Sequence, residues 1–340
     1  MLSFRLGGRD GVSIEAAKWA DALVALGHQV VRVAGEGEVE TRIRGLAIGA
    51  DTPPGRAELE SALEGADLVI VENLASLPLN PGARDVLYEV LEGRRALFHH
   101  HDLAWQREHL AHLEGPRDAP DWHHVTINDR SRRELLSRGI EAVTIMNHFD
   151  CSPELGNRTT TRARLGVGDE RLALLATRAI ARKNVAGALE LCAALGATLW
   201  LLGETEDGYG PELEALVSAS GVRVHRGLDA ELSIADAYAA ADLVVMSSTW
   251  EGFGNPVLES VTHRRPLALY PYPVAVEIVA HGFTFFALDD IEGIAHFLDA
   301  PDEALYEANL VVARSDFNLT DLAPKLAHLL ASIGIMSIAS

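Results

Sequence analysis

Short apolar runs alternate with longer segments of helical periodicity along this chain, and the alternation runs through twice. In the first half, residues 3–6, 30–34, 67–71, 96–99, 124–127 and 142–146 read as strands. Between the first two, Ile14, Ala17, Leu23 and Leu26 recur at helical spacing, and Gly27 follows as a stop signal. The second half repeats the pattern, with strand-like runs at 171–177, 197–202, 222–225, 242–247 and 266–270 and helical stretches such as 185–195 and 211–219. Strands alternating with helices of this length predict α/β domains, each a parallel sheet covered by helices on both faces. Residues 151–169 break the pattern, being poor in large apolar side chains. The expected organisation is therefore a first Rossmann-like domain over 1–150, a linker over 151–169 and a second Rossmann-like domain over 170–315. A C-terminal helix over 316–340 is expected to pack back on the first domain. Two doubly wound domains would present the C-terminal edges of their sheets to a central cleft, where such folds bind ligands.

At 340 residues the chain is long enough for two such cores. Its 48% apolar and 23% charged residues exclude a disordered or fibrous protein. No apolar run reaches the roughly 18–20 residues of a membrane span, and no signal peptide is evident. Two cysteines, Cys151 and Cys192, make no disulfide framework, so a cytoplasmic protein is expected. With 29 bases against 49 acids, net −20, broad contact with nucleic acid or anionic lipid is disfavoured. One stretch runs against this background. Arg158, Arg162, Arg164, Arg171, Arg178, Arg182 and Lys183 outnumber Asp169 and Glu170 between 158 and 183. Either these are arginines of a solvated linker, or the strip faces a small anionic ligand.

Ser247 to Glu259 reads Ser-Ser-Thr-Trp-Glu-Gly-Phe-Gly-Asn-Pro-Val-Leu-Glu and follows an apolar strand. Its two glycines permit a tight turn and close approach of backbone to a ligand. Asn255 suits a helix N-cap and Pro256 the first helical position. The free N–H groups of that helix end suit a phosphate or a sugar oxygen. Glu251 from the loop and Glu259 from the helix can accept the hydroxyl protons of diols on one ligand. Taken alone, a Gly-x-Gly turn in an acidic chain says no more than strand, turn and helix.

The whole segment, however, resembles the Glu-x7-Glu motif of retaining GT-B glycosyltransferases of the family 4 type, whose consensus Glu-Gly-Phe-Gly-x-Pro-x-x-Glu it matches at every position. Gly11 and the helix ending Gly27-His28-Gln29-Val30 resemble the family's Gly-rich loop and Gly-His-x-Val corner. Thr177-Arg178-Ala179-Ile180-Ala181-Arg182-Lys183 resembles its Arg-x4-Lys loop, although Arg182 departs from the usual small or acidic residue. The likeness spans roughly residues 5–290, with Glu277 standing where the family has a Glu after the post-motif strand. It implies a GT-B fold and a set of roles. Arg178 and Lys183 would grip the donor diphosphate and stabilise the charge of the leaving group. Lys183 is one of three lysines; the alternative is a surface side chain capping a helix. Glu251, with the backbone of Gly252, Phe253 and Gly254, would hold the transferred sugar, and Glu259 the ribose. Gly11, Gly203, Gly227 and Leu228 would line the donor.

The run His99-His100-His101-Asp102 follows the strand at 96–98. The resemblance implies a His here against the donor sugar; His101, which precedes the Asp, fits best, and His100 is next. A metal centre is the rival reading, since His109-x-x-His112 and His123-His124 add further imidazoles. Their spacing matches no familiar site, there is no Asp-x-Asp, and the family needs no catalytic metal. No metal and no cofactor are expected. Gly7-Gly8-Arg9-Asp10-Gly11 is longer in glycine than the family's loop, which makes Arg9 and Asp10 candidate acceptor contacts. No nucleophile elbow, P-loop or glycosidase-like carboxylate pair is present. The reading is a retaining, metal-independent transfer of a hexose from a nucleoside-diphosphate sugar to a hydroxyl acceptor. The leaving phosphate would assist deprotonation of the acceptor. A GT-B sugar-nucleotide epimerase or phosphorylase, or an inactive sugar-nucleotide-binding protein, is the alternative.

Overall fold

A computed structural model of the chain describes residues 1–8, 10–206 and 208–335, so the candidate acceptor contact Arg9 lies outside the described residues. Two compact units form. One comprises Met1–Asn147 and the chain from Thr320 onward, the other His148–Leu319.

The first unit holds seven strands: β1 (Leu2–Leu6), β2 (Val33–Gly37), β3 (Thr41–Arg42), β4 (Val69–Glu72), β5 (Ala96–His100), β6 (Trp122–Thr126) and β7 (Val143–Thr144). They lie in the order β3-β2-β1-β4-β5-β6-β7, every pair parallel. The second unit holds β8 (Leu172–Leu175), β9 (Thr198–Leu201), β10 (Val224–Arg226), β11 (Leu243–Met246), β12 (Leu267–Leu269) and β13 (Phe286–Ala287). Their order is β10-β9-β8-β11-β12-β13, again all parallel. All four residues of β8 and of β11 are buried. That is why these strands read as unbroken apolar runs rather than alternating ones: helices cover both faces. The edge strands β3 and β13, two residues each, have no periodicity to show and escape the sequence reading. In both sheets the strand order reverses once, between β1 and β4 and between β8 and β11. Ligands of doubly wound sheets gather beyond the strand ends at such reversals.

Part of the segment read as a linker is helical. Asn157 caps a helix, Arg158–Leu165, by accepting the Thr160 N–H at 3.0 Å, and Gly166 closes it in the left-handed conformation. The Arg162 side chain is 9% exposed, and its guanidinium donates to the carbonyls of Gly168 (2.8 Å) and Ala240 (2.8 Å) and to Asp242 (3.2 Å). Arg158 donates to the carbonyls of Ala239, Ala240 and Ala241 at 2.8–3.2 Å. Both arginines thus satisfy the carbonyls at the C-terminal end of helix Ile234–Ala240, where cations are favoured. Arg164 pairs with Glu231 and Arg171 with Asp299. The first part of the positive strip is thus paired within the second unit. Arg162→Ala is expected to lower unfolding stability by about 2 kcal/mol, because it takes the guanidinium donor from the Gly168 and Glu170 carbonyls, while Arg158 still pairs with Asp242. Urea unfolding measures this, and a loss below about 1 kcal/mol would contradict the structural role.

The chain returns to the first unit after Asp316 ends helix Glu303–Asp316. The last described helix, Leu322–Ser332, packs on Gly11–Ala25. No helix among the described residues is long and apolar enough to cross a membrane.

Candidate functional site

In the second unit, polar chemistry begins where the buried strands end. Beyond β8, the 3-10 turn Ala181–Lys183 stops at Asn184, which takes a left-handed conformation (φ 47°) and caps helix Val185–Leu195. Beyond β11 runs the loop of the Glu-x7-Glu segment. Thr249 N–H donates to the Arg182 carbonyl at 2.9 Å, and Ser247 Oγ to the Lys183 carbonyl at 2.8 Å. These bonds zip the two loops together, so residues 68 positions apart in sequence meet. The Lys183 ammonium donates to one Glu251 oxygen, and Arg182 donates to the other at 2.9 Å and to the Trp250 carbonyl at 2.9 Å. Lys183 and Glu251 are each only 7% exposed. Burial outweighs the attraction of Glu251 and pulls the Lys183 ammonium down to about 8; Arg182 and Arg178 pull the same way. For Glu251, burial pushes upward, but Lys183 and Arg182 beside it hold the carboxyl below its ordinary value. Lys183 is therefore no surface cap.

Gly254 shapes the turn. Its φ is 95°, and a Cβ there would come within 2.0 Å of Tyr272 Oη, which donates to the Phe253 carbonyl at 2.7 Å. No other residue fits. Phe253 itself is buried against Phe149 and Phe317. The left-handed turn starts helix Asn255–Thr262 one residue earlier than the sequence suggests: Gly254, not Asn255, is the N-cap, and Pro256 is the second helical residue. Glu259 is half-buried, and Tyr238 Oη donates to it at 2.6 Å. Tyr238 is fully buried and stacks on His263. Sequence reasoning missed it, since nothing local marks a tyrosine inside a helix as a carboxylate's partner.

Arg178 is not drawn into the ion cluster; it is half-buried and pairs with Glu206 at 2.6 Å. Gly203 lets the end of β9 close on its loop, since a Cβ there would lie 2.5 Å from the Arg178 Cα. Gly227 ends β10 and its carbonyl accepts the Trp200 indole N–H at 2.8 Å, with Leu228 half-buried beside it. Glu277 lies on helix Pro273–Val279.

In the first unit, Asp10 caps helix Gly11–Ala25, accepting the Ser13 N–H at 3.1 Å, and also pairs with Arg5 at 3.4 Å. The candidate acceptor contact is thus a helix cap. Gly11 is the first helical residue, with open space where a Cβ would stand. The histidine run divides by strand alternation. His99 Nδ1 and His101 Nε2 approach one oxygen of Glu72, at 2.9 and 2.8 Å. His100 turns to the opposite side and meets His124 at 2.9 Å, which in turn meets Asp118 at 3.2 Å. Burial, then the neighbouring histidines, push His100 well below its ordinary value. His109 and His112 are exposed and join neither group. The ligand atoms of Glu72, His99 and His101 lie within 4.8 Å of one another, a spacing that suits a metal. An ionised carboxylate receiving two ring N–H groups accounts for the same spacing. Among the described residues, moreover, His99 Nε2 has no hydrogen-bond partner of the kind that orients metal-bound imidazoles. Glu72 and Asn73 carry no motif that marks a role in the sequence; their one signal is a Glu-Asn pair closing an apolar strand.

Comparison with known proteins adds to this geometry. Residues 173–305 match the family described as "Glycosyl transferases group 1". The chain is 26% identical to the mannosylglucosylglycerate synthase of Thermotoga maritima, covering 85% of this chain and 84% of that protein. It is 24% identical to the protein of the same name from Petrotoga mobilis, covering 82% and 84%. Among solved structures, Anabaena Alr3699/HepE in complex with UDP and glucose superposes with a TM-score of 0.74 at 18% identity, covering 98% of this chain and 100% of that one. The chain is a glycosyltransferase of the GT-B fold, with a glycosyl transferases group 1 domain over residues 173–305 of its second unit.

Proposed function

We propose that this glycosyltransferase moves a hexose from a nucleoside-diphosphate sugar to a hydroxyl of a small polar acceptor, with retention and without a catalytic metal. The observation that carries the reading is the buried Lys183–Glu251–Arg182 cluster beyond the ends of β8 and β11, where the strand order reverses. It offers a cation for a diphosphate beside a carboxylate for sugar hydroxyls. Arg178, on the same loop, supplies a second cation, and Glu259, braced by Tyr238, accepts the ribose diol. Gly252, Phe253 and Gly254 present backbone to the sugar, and the Gly203, Gly227–Leu228 and Gly11 turns give the donor room. His101 contacts the donor sugar. Glu251 and Glu259 are ligand holders rather than a separate base. The bond from the anomeric carbon to the phosphate oxygen breaks, and the acceptor oxygen attacks on the same face. The acceptor's proton passes to the departing phosphate oxygen. Lys183 and Arg178 stabilise the charge on that phosphate, and positioning does the rest. Relatives named mannosylglucosylglycerate synthase favour a small, soluble glycoside as acceptor.

The test pairs UDP-, GDP- and ADP-linked glucose and mannose with small hydroxyl acceptors, glucosylglycerate among them, with EDTA present. A labelled glycoside of retained anomeric configuration is expected, and thermal shifts with the matching nucleoside diphosphate. Conversion of the donor alone would make the chain an epimerase. No shift with any nucleotide would remove the donor site.

The depressed Lys183 sets a pH dependence. Its ammonium is present below about pH 8 and lost as pH rises through that value. The kcat/KM profile, which reports the free enzyme, is expected to fall on the alkaline side near pH 8 rather than near 10. Stability runs the other way. Between about pH 8 and 10.5 the unfolded chain holds a proton on Lys183 that the folded one has shed, so this group makes stability rise with pH in that window.

A further inference from the structure

We propose that Glu72 and Asn73 are positioning residues for His101, deciding both where its ring lies and which ring nitrogen carries the proton. The inference rests on the reading of His101 as the group that meets the donor sugar.

The arrangement follows from strand register. Glu72 ends β4 and stands directly across from His99 on the parallel neighbour β5. His101 is two residues further along and returns to the same side, so one carboxylate oxygen reaches both rings, at 2.9 and 2.8 Å. An ionised carboxylate only accepts. Both rings must then donate: His99 through Nδ1–H and His101 through Nε2–H. A neutral His101 is left with Nδ1 as a lone-pair acceptor, the state that suits a sugar hydroxyl. Were Glu72 absent, nothing in this set of contacts would choose between the two tautomers.

Asn73 acts on the backbone of the same residue. It takes a left-handed conformation (φ 58°), which turns the chain back as soon as β4 ends. Its Oδ1 thereby accepts the N–H groups of His101 and Asp102, both at 3.1 Å, and the Ser76 hydroxyl at 3.1 Å. His101 is thus held by ring and main chain from one dipeptide. The support behind it is rigid. Trp19 stacks on His99 at 4.0 Å, and the Ser3 hydroxyl donates to the Glu72 carbonyl at 2.9 Å. Glu72 is fully buried, and its other oxygen, Oε1, has no hydrogen-bond partner. A buried carboxylate left half-satisfied is a poor device for stability, so its contribution is orientation.

The test uses the full chain labelled with 15N-histidine, the His101 signals being assigned by their loss in His101→Asn. In the unsubstituted protein, long-range proton–nitrogen spectra are expected to show a protonated Nε2 and an unprotonated Nδ1 for His101. Glu72→Gln, whose amide can donate or accept, is expected to move His101 toward the other tautomer. It should also lower kcat between about 10- and 100-fold while leaving the donor KM within about threefold. A proton on Nδ1 in the unsubstituted protein, or a Glu72→Gln spectrum and kcat unchanged from it, overturns the proposal. The unsubstituted spectrum decides the tautomer even if the variant does not fold. Absence of transfer with every donor and acceptor would remove the transfer reading, and the spectra would still decide the role of Glu72.

Discussion

Replacing Lys183 with alanine is expected to reduce glycosyl transfer by about 10²–10³-fold, the usual consequence of removing one preorganised group that faces developing charge. The side chain is 7% exposed, so its ammonium has little water to compete with a phosphate, and each electrostatic contact there is stronger than at the surface. The loss should appear in kcat and in kcat/KM together, since the charge on the departing phosphate peaks late in the reaction. Arg182 remains on Glu251, which limits the damage to the fold. Lys183→Arg is not expected to rescue, because a planar guanidinium does not fit a buried site shaped for a point charge. Steady-state transfer by Lys183→Ala within tenfold of the unsubstituted enzyme would sink the phosphate assignment.

Glu251→Gln should cost more, above about 10³-fold, because it removes two functions at once. In the proposed role, the amide would no longer accept two sugar hydroxyl protons as the carboxylate would. It also withdraws the charge that keeps Lys183 protonated against burial and against Arg182 and Arg178. Lys183, already lowered to about 8, falls further without that charge and loses part of its ammonium. The double variant Lys183→Ala, Glu251→Gln is therefore expected to be little worse than Glu251→Gln alone, a coupling of about 3–4 kcal/mol that nearly equals the whole cost of Lys183→Ala. A strictly additive double variant would show that the two residues act independently. Discharge of Lys183 also spares the fold an uncompensated buried cation. Glu251→Gln should then lose less stability than the roughly 3–5 kcal/mol typical of breaking a buried ion pair.

Much of this was legible in the linear chain. Residues 172–175 and 243–246 are apolar without interruption because both faces of a parallel sheet are covered, and such runs are visible with no structure at all. The spacing of Glu251, Gly252, Gly254, Pro256 and Glu259 was likewise readable, since a turn that admits only glycine and a helix start that admits proline are local demands. Arg158 and Arg162 were left undecided for the converse reason. Charge counts cannot tell an arginine that faces a ligand from one that satisfies helix-end carbonyls about 80 residues away.

Local periodicity and turn chemistry were thus enough to set the two parallel α/β domains and the loops where chemistry gathers, because those properties depend on residues a few positions apart. Partnership was decided only by the tertiary structure. Glu251 with Lys183, Glu259 with Tyr238, and Glu72 with His99 and His101 are joined across 68, 21, 27 and 29 positions of chain. Strand order and register bring them together. The burial that accompanies that assembly, which no stretch of sequence carries by itself, sets the protonation of Lys183 and Glu251.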